Sequence, residues 1–183
     1  MYEGKVGLVY GSDTGATEAV AHLLARQCPW DNMELCEVSQ VNHRFFERND
    51  VLILGASTWY TGDLQSDWQA YFPKFKTLDL SGKMVALYGL GDQFNYDDYF
   101  VDALGILARA VLDSGGELMG HWPTKGYCFS ESQGLMECCQ RFYGLALDED
   151  NQPERTEERI AQWTAQLQTE LRERTTISRP LAS

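Results

Sequence analysis

Two kinds of segment alternate along this chain. Short apolar runs recur, and between them apolar residues return at every third or fourth position. KVGLVY (5–10), DVLILGAS (50–57) and KMVALYGLGD (83–92) are almost continuously apolar, as strands buried on both faces of a parallel sheet are. MELCEV (33–38) alternates instead, which places it nearer a sheet edge. ELMGHW (117–122) opens a fifth strand, and RFYGLALD (141–148) has strand character again. Helical spacing fills the gaps. Residues 15–27 set Ala19, Val20, Leu23 and Leu24 on one face, and Leu64, Trp68, Tyr71, Phe72 and Phe75 form a second, aromatic stripe that reads as a core face. Asn95 is placed to cap a third helix, with Asp98 as its third residue and Phe100, Leu104, Leu107 and Val111 buried. The last helix carries Ile160, Trp163, Leu167 and Leu171, with Pro153 near its start.

Strand–helix alternation repeated five times predicts an α/β domain on a parallel sheet. One domain over residues 1–174 accounts for the pattern, and TTISRPLAS (175–183) is expected to be a short flexible tail. The stretch 123–140 interrupts the fifth strand and exceeds the usual connection length.

Composition narrows the function classes. Apolar residues make up 44% of the 183, enough for a sizeable core. A net charge of −12 and a pI near 4.6 disfavour nucleic acid and anionic membrane surfaces as partners. The acidity is uneven: residues 1–153 carry 10 Lys and Arg against 22 Asp and Glu, whereas residues 154–183 carry five of each. Cys28, Cys36, Cys128, Cys138 and Cys139 form no C-x-x-C pair, and His22, His43 and His121 fall in no zinc-ligand spacing. A strand begins within a few residues of Met1, leaving no room for a signal peptide, and no apolar run approaches the roughly 20 residues of a membrane span. The expectation is a reduced, soluble, cytoplasmic protein.

In a doubly wound sheet, ligands sit outside the carboxyl ends of the strands where the strand order reverses. Three loops leave such ends. GSDTGAT (11–17) lacks both the Walker ending and G-x-G-x-x-G. Its hydroxyls on Ser12, Thr14 and Thr17, the turn permitted by Gly15, and the positive end of the following helix can bind a phosphate monoester with neutral donors alone. STWYTGDLQSDW (57–68) places Trp59 and Tyr60 in a loop, where a flat aromatic ligand stacks well. GLGDQFNYDDYF (89–100) breaks at Gly89 and Gly91, lets Tyr96 project over the same crevice, and offers Asp92 as an acceptor for ligand N–H groups; Asp97, Asp98 and Asp102 are expected on a solvated helix face. No Lys or Arg occurs in 49–73 or 84–108, so the crevice rim is expected to be strongly negative. No nucleophile or acid–base pair is apparent beside it, and His121 reads as structural.

Taken together, GSDTGAT, TWYTGD and GDQFNY, in this order and spacing, resemble the flavodoxins, small electron carriers that bind flavin mononucleotide (FMN). The likeness spans about residues 4–172, and the interrupted fifth strand with GYCF and GLALDEDNQ resembles the long-chain branch. It implies a five-stranded parallel sheet in the order 2-1-3-4-5, doubly wound, with helices on both faces. It further implies that Ser12, Asp13, Thr14, Gly15, Ala16 and Thr17 hold the FMN phosphate. Ser57, Thr58, Trp59 and Tyr60 line the flavin, with Trp59 against one face and Tyr96 against the other. Gly62 lies beside flavin N5, and Gly91 and Asp92 meet the pyrimidine edge. Ser57 stands where many members have proline, Phe94-Asn95 where an isoleucine-glycine pair is common, and Tyr99 where asparagine is frequent, so the third loop departs from the family pattern.

The resemblance implies a low-potential one-electron carrier using the semiquinone/hydroquinone couple of FMN, a monomer without substrate turnover of its own. An uncompensated phosphate and nearby carboxylates disfavour an anionic reduced flavin, while a neutral radical escapes that penalty and gains a partner if Gly62 lets the 61–62 peptide turn its carbonyl inward. Partners would be basic-surfaced redox proteins, an NADPH-dependent flavodoxin reductase and an acceptor enzyme, met through charge steering. An FMN-dependent quinone or azo reductase on the same fold is the competing reading. A phosphoryl-accepting receiver domain is not, because YGSD and GAST lack the acidic residues it needs.

Overall fold

The computed structural model describes residues 2, 4–30, 33–137 and 140–177. Its centre is a sheet built from β1 (Val6–Tyr10), β2 (Met33–Glu37), β3 (Val51–Trp59), β5 (Met84–Leu90) and β6 (Glu117–Met119), hydrogen-bonded in the order β2-β1-β3-β5-β6. All these pairs are parallel. A two-residue β4 (Asp63–Leu64) folds back antiparallel on the end of β3. Leaving β4 aside, this is the expected order. Buried Val, Leu and Ile fill β1, β3 and β5 without alternation, while β2 at the edge stays partly exposed.

The fifth strand is split, as its sequence implied. β6 pairs the first half of β5, and β9 (Leu145–Leu147) pairs the second half, Tyr88 to Leu90. Between them β7 (Trp122–Pro123) and β8 (Arg141–Phe142) make a separate antiparallel pair. Residues 117–122 and 141–148 are therefore not continuous strands: Trp122 and Arg141-Phe142 belong to this small ribbon. Cys138 and Cys139 lie outside the described residues.

Helices α1 (Ala16–Gln27) and α4 (Asp102–Asp113) cover opposite faces. The Tyr88 hydroxyl donates to the Thr17 carbonyl of α1 (3.1 Å), whereas the next residue, Gly89, lies against Leu104 of α4. Successive strand residues point to opposite faces. Helix α3 (Ser66–Phe75) buries Trp68 and Phe75, and α5 (Thr156–Ile177) buries Ile160, Trp163, Leu167 and Leu171. Full burial of each such side chain contributes about 1.5–3 kcal/mol.

Several local expectations are corrected. The buried face of α1 is Thr17, Val20, Ala21 and Leu24; Ala19 is exposed and Leu23 half-buried, because the helix is rotated toward the sheet by one position. Leu64 lies in β4, outside α3. A short α2 (His43–Arg48), capped by Asn42, was not foreseen; Asn42 Oδ1 accepts from the Phe45 N–H at 3.2 Å. Asn95 caps no helix, since the chain first makes a 3-10 turn at Asp97–Tyr99 and α4 begins only at Asp102. Helix α5 runs to Ile177, three residues into the segment expected to be non-helical, and 178–183 lie outside the described residues.

Candidate functional site

Parallel strands β1, β3 and β5 end at one edge of the sheet, and between β1 and β3 the order in which strands are added reverses, with β2 placed on one side and β3, β5 and β6 on the other. A cavity of about 340 Å3 opens there. Thr14, Ala16 and Thr17 line it from the first loop, Ser57, Thr58, Trp59 and Tyr60 from the second, and Gly91, Asp92 and Tyr96 from the third. The three loops singled out in the sequence thus meet at one site. Ser12, Asp13, Gly15 and Gly62 do not face the cavity; they shape the loops that do.

The first loop ends at Gly15, whose φ of +91° is the left-handed conformation glycine adopts without strain. Helix α1 then starts with no side-chain cap, so the N–H groups of its first turn have no acceptor within the helix. Ser12 Oγ instead accepts from the Gly15 N–H at 3.0 Å, closing the turn. Asp13 serves as a brace: its carboxylate accepts from Gln65 Nε2 (2.8 Å) and Ser66 Oγ (2.7 Å) at the start of α3. Burial alone would raise its pKa, but the hydrogen bonds from Ser66 and Gln65 prevail and hold it below the ordinary value.

The second loop is fixed through its hydroxyls. Ser57 Oγ accepts from Trp59 Nε1 at 2.8 Å and orients the indole, a role proline at this position could not perform. Thr58 Oγ1 accepts from the Ala103 N–H at 3.0 Å and so caps α4 from across the site, replacing the expected Asn95. Tyr60 and Gly62 both have positive φ, 48° and 95°, in the turn joining β3 to β4. Tyr60 does not fold over the core; it is 71% exposed. A Cβ at Gly62 would fall 2.6 Å from Asp102 Oδ2 and 3.3 Å from the Tyr99 ring, so both φ and space demand glycine.

The third loop differs most from its sequence reading. Asp92 does not hold a free acceptor toward the cavity: its carboxylate takes hydrogen bonds from the Phe94 and Asn95 N–H groups and from the Asn95 and Asn151 side chains. Burial would raise its pKa, and these four donors together bring it below the ordinary value. Asp102 is not on a solvated face. It is fully buried, receives the Gln133 N–H (2.7 Å) and Gln133 Nε2 (2.9 Å), and burial pushes its pKa up. Asp97 accepts from Ser130, and Asp98 alone of the three is exposed as expected.

Leu90, Tyr99, Glu149 and Asp150 also line the cavity and were not foreseen. The signal for the last two was the acidic run directly after a strand that ends at the ligand edge. Burial raises the Asp150 pKa, and the neighbouring Asp92 and Asp148 add to it. With Asp92, Glu149 and Asp150 in its wall and no Lys, Arg or His among its lining residues, the cavity is negative. Among the described residues no His, Cys, Asp and Glu cluster suits a metal ion, and no helix is long and apolar enough to cross a membrane. Cys28, Cys36 and Cys128 are free thiols, and burial pushes Cys28 up to about 12.

The fold and cavity define a doubly wound α/β protein with an acidic, aromatic-lined cavity at its topological switch point. Residues 8–163 match the flavodoxin family model. The chain is 43% identical over 166 residues to a flavodoxin of Klebsiella pneumoniae, covering 91% of this chain and 94% of that one. It is also 43% identical over 165 residues to flavodoxin 1 of Escherichia coli K12, covering 90% and 93%. Among solved structures it resembles the Fusobacterium nucleatum flavodoxin bound to flavin mononucleotide, with a TM-score of 0.86, 29% identity, and coverage of 91% and 98%. The chain belongs to the flavodoxin family.

Proposed function

We propose that this protein is a low-potential electron carrier that holds FMN in the switch-point cavity and has no substrate turnover of its own. One observation carries the reading: hydroxyls and an uncapped helix start at the first loop, aromatic side chains from the second and third, and three carboxylates share one cavity without a cation. FMN, when bound, supplies the redox chemistry, taking up and releasing electrons singly. Thr14, Ala16 and Thr17, with the first-turn N–H groups of α1, hold the phosphate, and Ser12, Asp13 and Gly15 set that loop's shape. Ser57, Thr58, Trp59 and Tyr60 form one wall of the flavin site. Gly91, Asp92 and Tyr96 form another, and Tyr99 closes it beside Gly62. The left-handed Gly62 lets the 61–62 peptide present its carbonyl to a flavin N–H at small cost. Asp92, Glu149 and Asp150 oppose added negative charge on the ring, which lowers the potential.

Partners are basic-surfaced redox proteins, a pyridine-nucleotide-dependent reductase and an acceptor enzyme, met by a monomer in the cytoplasm through small, charge-steered contacts. Exposed Tyr60, Phe94 and Tyr96 beside the acidic rim support this. The test is the visible spectrum of purified protein. A yellow protein that releases FMN rather than FAD is expected, with electron transfer from a reductase slowing as salt rises. A colourless protein that FMN cannot reconstitute overturns the proposal, and sustained NADH oxidation with a quinone by this chain alone replaces it with a reductase.

A further inference from the structure

A second cavity, of about 470 Å3, shares no lining residue with the first. It lies where the β7–β8 ribbon meets the start of α5. Lys125, Arg141, Arg155 and Arg159 line it, with Glu158 as its one carboxylate. The concentration is unusual in a chain of 15 Lys and Arg against 27 Asp and Glu. The Glu158 carboxylate is engaged by Gln162 Nε2 at 3.0 Å.

The local fold brings these cations together. Pairing of Pro123 with Arg141 presents the arginine beside the Thr124–Tyr127 turn, which carries Lys125. Gly126 in that turn, at φ +96°, passes close to two guanidinium groups: a Cβ there would lie 3.6 Å from Arg155 Nη1 and 4.0 Å from Arg159 Nη2. Arg159 is held rigidly. Its guanidinium lies 4.2 Å over the Tyr127 ring, and its Nη2 donates to Gln152 Oε1 at 2.5 Å. Its Nη1 is buried and has no hydrogen-bond partner, although the residue is only 6% exposed. A buried charged donor without an acceptor is expensive, and native structures rarely keep one without a ligand or water to satisfy it. Arg155 nearby repels it, and the Arg155–Glu154 contact is exposed and long at 3.7 Å.

We propose that this groove binds an oxyanion of the phosphate class, as free phosphate or as the phosphoryl end of a small metabolite. Planar guanidinium forks match such oxygens in pairs, and a fixed Arg159 loses little freedom on binding. An oxygen entering at the inner end takes up the orphaned Nη1 donor, while Lys125, Arg141 and Arg155 close on the outer oxygens. The ligand meets no flavin-site residue, so the inference stands apart from the electron-carrier reading.

The test uses FMN-saturated protein and amide NMR spectra at constant ionic strength against a chloride background. Inorganic phosphate, pyrophosphate, glycerol 3-phosphate and a glutamate-rich peptide are titrated in separate arms. Saturable shifts at Lys125, Gly126 and 155–159 are expected with the phosphate compounds, with the midpoint raised at least tenfold in Arg155→Glu and Lys125→Glu. Both substituted side chains are exposed, and an unchanged visible spectrum verifies the fold of each variant. Tighter binding of the monoester than of phosphate assigns a metabolite, and the reverse assigns the free ion. No saturable shift, an equal response to chloride, an unchanged midpoint in both variants, or tighter binding of the acidic peptide than of pyrophosphate overturns the inference. If FMN is not taken up, shifts at 12–17 are read separately from those at 125–159, so the two readings fail independently.

Discussion

The loops after β1 and β5 end parallel strands at the same edge, yet they are held in opposite ways. Residues 11–17 are a short local structure: one hydroxyl closes the turn, one carboxylate braces it to α3, and nothing lies within 4 Å of a Cβ at Gly15. Residues 91–102 are clamped from a distance. Asp148 receives the Gln93 N–H and side chain, Gln93 Oε1 accepts from the Cys128 N–H, and Ser130 and Glu131 donate to the Asp97 carbonyl. Beneath them Phe100 stacks on Phe129 and meets Tyr127 and Phe142 edge-on or tilted. The insertion that splits the fifth strand is the scaffold of the third loop. Backbone donors that must stay free for an anion tolerate few restraints, whereas a loop that must hold an aromatic ring over a ligand needs many.

Breaking that scaffold at its centre has the largest expected effect. Phe100→Ala empties a fully buried aromatic site and costs about 3–5 kcal/mol in urea unfolding. It also weakens FMN binding in a fluorescence titration, and equal affinity in the variant would show that the loop holds its shape without the insertion. Asp148→Ala leaves the Gln93 and Asn151 donors without their acceptor, and a loss of about 1–3 kcal/mol is expected, with faster amide exchange at 92–96 but not at 12–17. On the other side of the comparison, Gly15→Ala places a methyl in open space at positive φ. The expected loss is the backbone strain alone, about 1–2 kcal/mol; a larger loss would reveal packing that the first loop does not show.

The smallest effect is one of pH. Asp92 and Asp13 have lowered pKa values in the fold, so both contribute stability above the ordinary 3.8 and lose it as pH falls through their folded values. The urea midpoint difference between the wild type and Asp92→Asn is therefore constant at neutral pH and shrinks below 3.8. Asp102, with a raised value, works in the other sense: its ionisation opposes folding as pH rises through and above 3.8.

The same contrast decides what the sequence could show. The strands of the parallel sheet and the first loop were legible because they follow from apolar runs and from residues adjacent in the chain, whereas the strand order came with the resemblance to the flavodoxins. Trp59 and Tyr60 were legible as large aromatics whose loop positions packing does not require, and Tyr96 as a ring able to project over the same crevice, whereas a place for Gly62 came only with the resemblance. The fates of Asp92, Asp102 and Asn95 were not, because each is set by a partner far away: Asn151, Gln133, and the Thr58 hydroxyl that takes over the cap. Ser57 was read as a departure from a family pattern; only the 2.8 Å contact with Trp59 Nε1 gives it a task.

The split fifth strand also sets the order of events on the ribosome. The first half of β5 gains its neighbour at 117–119, but Leu90 must wait for Leu147, 57 residues later. At about 5–20 residues per second of synthesis, that is an interval of roughly 3–11 s. Throughout it the half of β5 nearest the cavity offers unpaired N–H and C=O groups, an invitation to the wrong neighbour. The ligand-facing half of the sheet is thus the last part to be closed.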